Sequence, residues 1–384
     1  MNSVKLFFAG DFCSRPSTSI IQVSEELRTL IQSCDLKVVN FEVPLKPDVC
    51  MPAQHDERFF QHDDTPAFLK GIGFNLFSLA TNHTFDWGEA GYLKTKNALG
   101  EGVFGAGTYD DAYRVKECDV NGLKIGFMSL CYAAYTGVFE NVMEHEGLGC
   151  AYINDLKVNH IIVEAKKNLD YLFVLPHDGI EYVDIPMPDT IARYRDLIDY
   201  GADAVLASHP HCPQGWEEYK GKPIFYSLGN FFFNSKEDAS YRAWDRPHWY
   251  EGLAVLVDLT DDGLSYRVVN TCNTENVSLG LDSAEVRREH NSRICKYLTD
   301  EELYKEHLVS VYHELGMKKM MPCIDRTFHP STLKYCTKML IKAWIKHFRK
   351  QDFVDDYVLR TLLRNDTRRK VLLRALDHIA GETN

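Results

Sequence analysis

Short apolar runs, each closed by a carboxylate, amide or imidazole side chain, punctuate the chain as far as His211. Val4–Gly10 leads into Asp11, Lys37–Val39 into Asn40 and Glu42, Leu76–Thr81 into Asn82 and His83, Tyr171–Pro176 into His177, and Ala204–Ser208 into His209 and His211. Runs of this kind predict buried strands. Segments of helical periodicity lie between them, at Ile20–Ser33, Glu89–Leu99, Asp155–Lys167 and Asp189–Tyr200. That alternation predicts βαβ units. Further β-rich runs at Ile125–Leu130, Ile224–Tyr226, Leu253–Leu259 and Ser265–Val269 predict a second sheet, or a second set of strands, packed on the first. The expected fold class is α/β, a four-layer αββα sandwich.

In an open α/β sheet, ligands bind beyond the carboxyl ends of the strands, so polar residues recurring there converge although scattered in sequence. The pattern predicts a metal site along one sheet edge. Its donors, nitrogen and carboxylate oxygen without thiolate, suit Mn, Fe(II), Zn or Mg. Asp11 follows a glycine at an expected strand end, where the backbone can turn and deliver a carboxylate to a cation. Asn40 and Glu42 alternate across Phe41, so extended geometry puts both on one side and Phe41 in the core, with Glu42 the better ligand. Asn82 and His83 are adjacent, so one can ligate through its amide while the other points at substrate. Asp86 is placed either to orient His83 or to cap a local helix. His209 and His211 flank Pro210, which stiffens the backbone and holds both imidazoles toward one side. His177 adds a third. Glu181 and Asn230 are candidates for substrate contact, Asn230 alternatively capping a turn. Gly105-Ala106-Gly107 reads as a glycine turn between strand and helix.

Two long segments, Ala133–Asn154 and Asn234–Gly252, carry little regular pattern and are the candidate substrate loops. After about Asp282 the strand signals stop, and helical patterns run through Glu301–Leu315, Pro330–Lys350 and Asp352–Ala380. The expected organisation is therefore a domain over residues 1–282 and a helical appendage over 283–384. Within the appendage, Lys338, Lys342 and Lys346 share one helical face, either a solvated surface or one that meets an anionic polymer or membrane.

The 384 residues, 45% hydrophobic and 26% charged, suffice for a full core. A net charge of −12 argues against nucleic acid as the main partner, and an anionic substrate would need a local cation. Met1–Gly10 lacks the features of a signal peptide, and no apolar run reaches the roughly 20 residues of a membrane span. The 11 cysteines are odd in number and contain no CxxC pair, so free thiols in a reducing cytoplasm are expected, with membrane association only through partners. There is no GxSxG elbow, no GxxxxGK[ST] loop and no GxGxxG after the first strand, which excludes the usual serine hydrolase, P-loop and Rossmann readings.

Taken in order, Ala9-Gly10-Asp11, Val39-Asn40-Phe41-Glu42, Ala80-Thr81-Asn82-His83-Thr84-Phe85-Asp86-Trp87-Gly88, Gly105-Ala106-Gly107, His177-Asp178-Gly179-Ile180-Glu181-Tyr182, Gly201-Ala202-Asp203, His209-Pro210-His211 and Tyr226-Ser227-Leu228-Gly229-Asn230-Phe231 resemble the CapA family of poly-γ-glutamate capsule biosynthesis proteins. The match covers about residues 3–260. The resemblance implies a metallophosphatase-like, calcineurin-type fold holding divalent metal ions, expected to be two. Asp11, Asn40, Glu42, Asn82, His177, His209 and His211 are the candidate ligands, and His83 with Asp86 the candidate catalytic pair, His83 acting as acid toward a leaving group. It implies a metal-dependent hydrolase acting on a phosphoester or on a γ-glutamyl or capsule-polymer bond, with capsule biosynthesis proteins as partners. The alternative is a non-catalytic metal- or polymer-binding accessory of a capsule complex; a nucleotide or phosphoprotein phosphatase would share the chemistry. Two positions depart from the pattern. Cys13 stands where calcineurin-type phosphatases place a histidine, and Asp178 where the family usually has an aromatic.

Overall fold

The computed structural model describes residues 3–48, 59–133, 137–139, 147–234, 248–274 and 277–314. The helical patterns at Pro330–Lys350 and Asp352–Ala380, and parts of both long loops, lie outside the described residues.

Strand β1 (Ser3–Ser14) organises the molecule because its alternating side chains enter two interiors. Val4, Leu6 and Phe8 join a core shared with Phe127 and Phe173, the Phe8 ring 5.0 Å from Phe173. Phe7 points the other way, its ring 6.0 Å from Phe74 and 6.3 Å from Phe231. Burial on both faces explains the unbroken apolar run.

The larger sheet runs β2 (Gln22–Val23), β17 (Ser278–Leu281), β16 (Gly263–Thr274), β15 (Glu251–Thr260), β1, β3 (Leu36–Phe41), β4 (Leu76–Ser78) and β5 (Val103–Phe104), with β14 (Asn230–Asn234) also paired to β1. The second runs β12 (Trp216–Tyr219), β13 (Lys222–Phe225), β11 (Ala204–Leu206), β10 (Tyr171–His177), β8 (Leu123–Cys131) and β7 (Lys116–Val120). A small ribbon pairs β6 (Ala106–Gly107) with β9 (Gly149–Cys150).

One cluster joins residues of both large sheets, among them Val255 and Val257 of the first and Ile125 and Phe225 of the second, so the sheets pack face to face. Helices α1 (Glu25–Gln32), α2 (Thr65–Ile72) and α3 (Gly88–Leu99) succeed one another beside the first sheet; α5 (Leu156–Lys166) contacts β10, and α6 (Pro188–Asp199) contacts β11 and β13 of the second. Short α4 (Tyr109–Tyr113) contacts the ribbon and β8, and α7 (Glu285–Thr299) contacts β12. The expected αββα sandwich is the observed architecture.

The assignment of strands to sheets differs from the expectation. β15 and β16 complete the first sheet, whereas β10 and β11 belong to the second with β8 and β13. Pairing across a layered fold is set by tertiary neighbours, which periodicity does not encode. The helix expected at Ile20–Ser33 starts only at Glu25, where the Ser24 hydroxyl accepts from the Leu27 amide. Chain contacts define two units, Met1–Tyr132 with Thr136–Asp300, and Ala133–Tyr135 with Glu301–Asn384. The first therefore includes α7; in the second, α8 (Glu301–Tyr312) is the described helix. No described helix is long and apolar enough to cross a membrane.

Candidate metal centre

Asp11 does not follow the end of its strand, as expected, but sits inside β1, which continues to Ser14. The glycine before it serves close packing rather than a turn. β1 pairs antiparallel with β15 as far as Ala9 and parallel with β14 from Asp11 onward, so one edge changes partner at Gly10. A Cβ on Gly10 would lie 2.0 Å from the Gly229 carbonyl oxygen. That same oxygen accepts from the Asp11 amide at 3.0 Å. On the other edge the register with β3 shifts between Ala9 and Asp11 and sets Asp11 opposite Asn40.

The site lies between the sheets and not along one sheet edge. Asp11, Asn40, Glu42 and Asn82 come from β1, β3 and the segments after β3 and β4. His177 ends β10, and His209 and His211 follow β11. The expectation that Asn40 and Glu42 share a side holds: the Asn40 amide nitrogen is 2.7 Å from Asp11 Oδ1, 2.8 Å from Glu42 Oε2 and 3.3 Å from His177 Nδ1. His177 Nε2 is 2.8 Å from Asn82 Oδ1 and 3.4 Å from Glu42 Oε1. His209 joins through its ring, 4.7 Å from that of His177, and through its backbone amide, which donates to Asp11 Oδ2 at 3.1 Å. Positive φ values at His209 (+103°) and His211 (+58°) flank Pro210, a strained segment of the kind that clusters at functional sites. His211 Nδ1 is 2.9 Å from Asn230 Oδ1 and 3.4 Å from Asp11 Oδ2.

Electrostatics match this geometry. Asp11 and Glu42 are both fully buried. Burial, then the negative charge of Asp11, push Glu42 well up. Burial also opposes ionisation of Asp11, but the hydrogen bond and charge of His211 and the His209 amide outweigh it and hold Asp11 down. Burial pushes His177 down to about 3 and His209 well below its ordinary value, so both imidazoles are neutral and present lone pairs.

Three observations test whether a divalent cation fits. Glu42 Oε1, Asn82 Nδ2 and His209 Nδ1 are buried with no hydrogen-bond partner among the described residues. Ligand atoms of Glu42, His177 and His209 come within 4.8 Å of one another. An amide nitrogen with two protons faces three acceptors on Asp11, Glu42 and His177, a position that favours positive charge; a half-turn of Asn40 would offer its oxygen instead. This donor set fits a divalent cation.

His83 lies in the turn after β4. Thr81 links it to the segment that carries Glu42, its hydroxyl donating to the Glu42 carbonyl at 2.7 Å and accepting from the His83 amide at 3.2 Å. Asp86 Oδ2 is 2.9 Å from His83 Nδ1 and accepts from the Phe59 amide at 2.8 Å. Of the two roles open to Asp86, the structure shows the orienting one; Trp87, not Asp86, is the N-cap of α3. Burial opposes protonation of His83, but the charge and hydrogen bond of Asp86 exceed it and raise the group to about 9.

Glu181 is half-buried, and its charge reaches His83, His209 and His211. Asn230 begins β14 rather than ending a strand, and its amide nitrogen donates to the Trp249 carbonyl at 3.0 Å while its oxygen meets His211. Cys13 packs with Val43, Phe59, Phe233 and Trp249, and burial pushes its thiol well up, so it is a packing residue. Gly105 turns the chain from β5 into β6 rather than from strand into helix, since Ala106–Gly107 pairs with β9, and a Cβ there would come within 2.7 Å of the Ser129 side chain.

The aromatic wall was missed. Trp249 lies 5.1 Å, Phe233 5.0 Å and Tyr182 6.0 Å from the His211 ring, and Tyr132 4.5 Å from His209. For Trp249 the available signal was the aromatic richness of Asn234–Gly252; Tyr132, Tyr182 and Phe233 come from three other segments that only the fold brings together.

Comparison with known proteins places these residues in context. Residues 5–235 match the family model described as bacterial capsule synthesis protein PGA_cap. The chain is 30% identical over 240 residues to a capsule biosynthesis protein CapA of Bacillus anthracis, covering 59% of this chain and 56% of that protein. It is 28% identical over 221 residues to the PGA biosynthesis protein CapA of Bacillus subtilis, covering 55% and 57%. It thus spans little more than half the length of these curated relatives. A solved structure of a phosphatase from Mycoplasma pneumoniae aligns over 70% of this chain and 94% of its own at 15% identity, with a TM-score of 0.46.

Proposed function

The chain belongs to the bacterial capsule synthesis protein family PGA_cap, and from that premise we propose that it is a metal-dependent hydrolase acting on a phosphoester or on a γ-glutamyl bond of a capsule polymer. The observation that carries the reading is the convergence of two fully buried carboxylates, Asp11 and Glu42, with neutral His177 and His209, beside a raised His83. Isolated buried carboxylates are costly, and a cation is the partner this donor set suits.

Asp11, Asn40, Glu42, Asn82, His177, His209 and His211 would hold the metal. A bound divalent cation lowers the pKa of water and neutralises charge on the transition state. His83, protonated at neutral pH through Asp86, gives a proton to the departing oxygen or nitrogen. Asp86 fixes the ring by accepting from Nδ1, which leaves Nε2 as the donating nitrogen. Asn230 holds His211 against Asp11, and Glu181 and the aromatic wall shape the approach of substrate. Partners would be an anionic polymer and other capsule synthesis proteins. The 8 free thiols among the described residues suit a reducing compartment such as the cytoplasm.

The test combines metal content by mass spectrometry with hydrolysis of chromogenic phosphomonoester, phosphodiester and γ-glutamyl substrates under Mn, Zn or Mg. Wild type is expected to hold metal and turn over at least one of them. His209→Ala should lose both metal and turnover. His83→Ala should keep the metal and lose roughly 10²–10⁴-fold in rate. Metal without turnover of any of these substrates would overturn the enzyme reading and support the accessory one.

A further inference from the structure

A cationic patch lies beside the candidate catalytic pair. Three segments meet there: Arg15 follows β1, Lys46 follows β3, and Phe60 belongs to the stretch before α2. Two backbone contacts tie them, since the Ser14 carbonyl accepts from the His62 amide at 2.8 Å and Leu45 bridges Gln61. The Arg15 guanidinium lies 4.9 Å and the Lys46 ammonium 5.6 Å from the centroid of the Phe60 ring, and Lys46 is 5.2 Å from that of Trp87. Lys46 is exposed, and Arg15 and Phe60 are half-buried. The patch is also tethered to His83. The Phe59 amide donates to Asp86 Oδ2 at 2.8 Å, the Phe59 carbonyl accepts from Trp87 Nε1 at 2.9 Å, and the Phe59 ring is 4.9 Å from that of His83. Phe60, the next residue, therefore keeps a set place near the group proposed to protonate the leaving atom.

Positive charge is left over on this patch. Among the described residues neither Arg15 nor Lys46 has an ion-pair partner, and Arg15 Nε is buried with no hydrogen-bond partner. The carboxylates that follow in sequence are engaged elsewhere: Lys94 holds Asp48 at 3.4 Å and Asp63 at 2.9 Å, and Asp64 accepts from the Ser17 hydroxyl and the Thr18 amide. An aromatic face attracts each cation but accepts none of the directed hydrogen bonds that a guanidinium or ammonium offers. In a chain of net charge −12, two unpaired cations converging on one ring are suited to an anionic ligand.

We propose that Arg15 and Lys46, carried on Phe60 and Trp87, form a subsite for an anionic group of the substrate, a carboxylate or a phosphate, beyond the bond that is cut. The inference rests on the hydrolase reading and narrows its substrate to an extended polyanion whose departing part carries further charge. Arg15 presents a planar fork of donors that matches either oxyanion, and Lys46 adds a point charge. The subsite supplies the local cation that a net-negative chain needs to hold such a polymer.

Fluorescence anisotropy of labelled oligo-γ-glutamate and of labelled polyphosphate, each titrated with the full chain purified without chelator, tests this. Wild type should bind at least one of them, and the one bound names the oxyanion. Arg15→Gln and Lys46→Gln should each weaken that binding by about 5–10-fold, the worth of one partly exposed charge-assisted contact. Arg15→Lys should recover part of the loss. Lys124→Gln removes the same charge from an exposed position at the start of β8 and should stay within about twofold of wild type. Lys46 is exposed, so its variant gives the answer even if circular dichroism shows Arg15→Gln to be misfolded. Binding of neither polymer, wild-type affinity in Lys46→Gln, or an equal loss in Lys124→Gln would overturn the proposal. Turnover of the small chromogenic substrates by a protein that binds neither polymer would overturn the subsite and leave the hydrolase reading standing; Arg15-dependent binding without any turnover would do the reverse.

Discussion

Gly10→Ala is the sharpest perturbation of the candidate metal centre available outside its candidate ligands. The added Cβ would sit 2.0 Å from the Gly229 carbonyl oxygen, and real contacts of this kind are not found under 3.0 Å. Both partners are backbone in paired strands, so β1 and β14 must part by about 1 Å near Asp11 and Asn230. A displacement of that size would carry the 3.0 Å bond from the Asp11 amide to the Gly229 carbonyl beyond hydrogen-bond range. Overpacking of this sort costs about 1–3 kcal/mol, which for a chain of this size lowers the melting temperature by about 2–10 °C. A misplacement of about 1 Å costs roughly 100-fold in rate where catalysis depends on alignment. Gly71→Ala is the control: nothing lies within 4 Å of a Cβ there, and its place inside α2 favours alanine by about 0.5–1 kcal/mol. Calorimetric melting with metal analysis of both variants checks the argument. A Gly10→Ala protein with wild-type melting temperature and metal content would refute it.

Other expectations concern neighbouring residues. Asp86→Asn should retain metal yet lose turnover, because the partner that keeps His83 protonated is gone and the alkaline limb of the pH–rate profile should move to lower pH; an unchanged profile would separate Asp86 from catalysis. Cys13→His, which restores the residue usual in calcineurin-type phosphatases, should destabilise by about 1–3 kcal/mol, as Cys13 is fully buried among Val43, Phe59, Phe233 and Trp249; urea unfolding measures it. Asp64 accepts from the Ser17 hydroxyl at 2.6 Å and the Thr18 amide at 3.1 Å, and although burial opposes it, these bonds hold its carboxyl below 3.8. A lowered folded value gives stability that is complete above 3.8 and lost as pH falls through the lowered value. Asp64→Asn should thus cost about 1 kcal/mol at neutral pH, and the difference from wild type should vanish in acid.

The chain announces its candidate ligands more clearly than its scaffold. A polar residue ending an apolar run is visible without neighbours, and every residue so identified, from Asp11 to His211, lies in or beside the buried cluster. The partition of strands between sheets was hidden, since β8, β10 and β15 read alike as apolar runs and differ only in what they pair with. β1 read as ending at Gly10 because Asp11 and Ser14 look like surface residues, though both are fully buried. β14 was obscured in the same way by Asn230 and Asn234 at its ends. Arg15 and Lys46 gave no signal, because their convergence on Phe60 depends on how the segments after β1 and β3 meet the stretch before α2.

The exchange of partners along β1 also bears on biosynthesis. β1 leaves a ribosome well before the strands that cover its second edge, since β14 and β15 follow more than 200 residues later. Until they arrive, its apolar edge is open to pairing with other chains. So distant a pairing closes slowly. Chains that stop short of β14 should therefore aggregate rather than accumulate in a partly folded form, because the seam along β1 is sealed only when β14 and β15 pair with it.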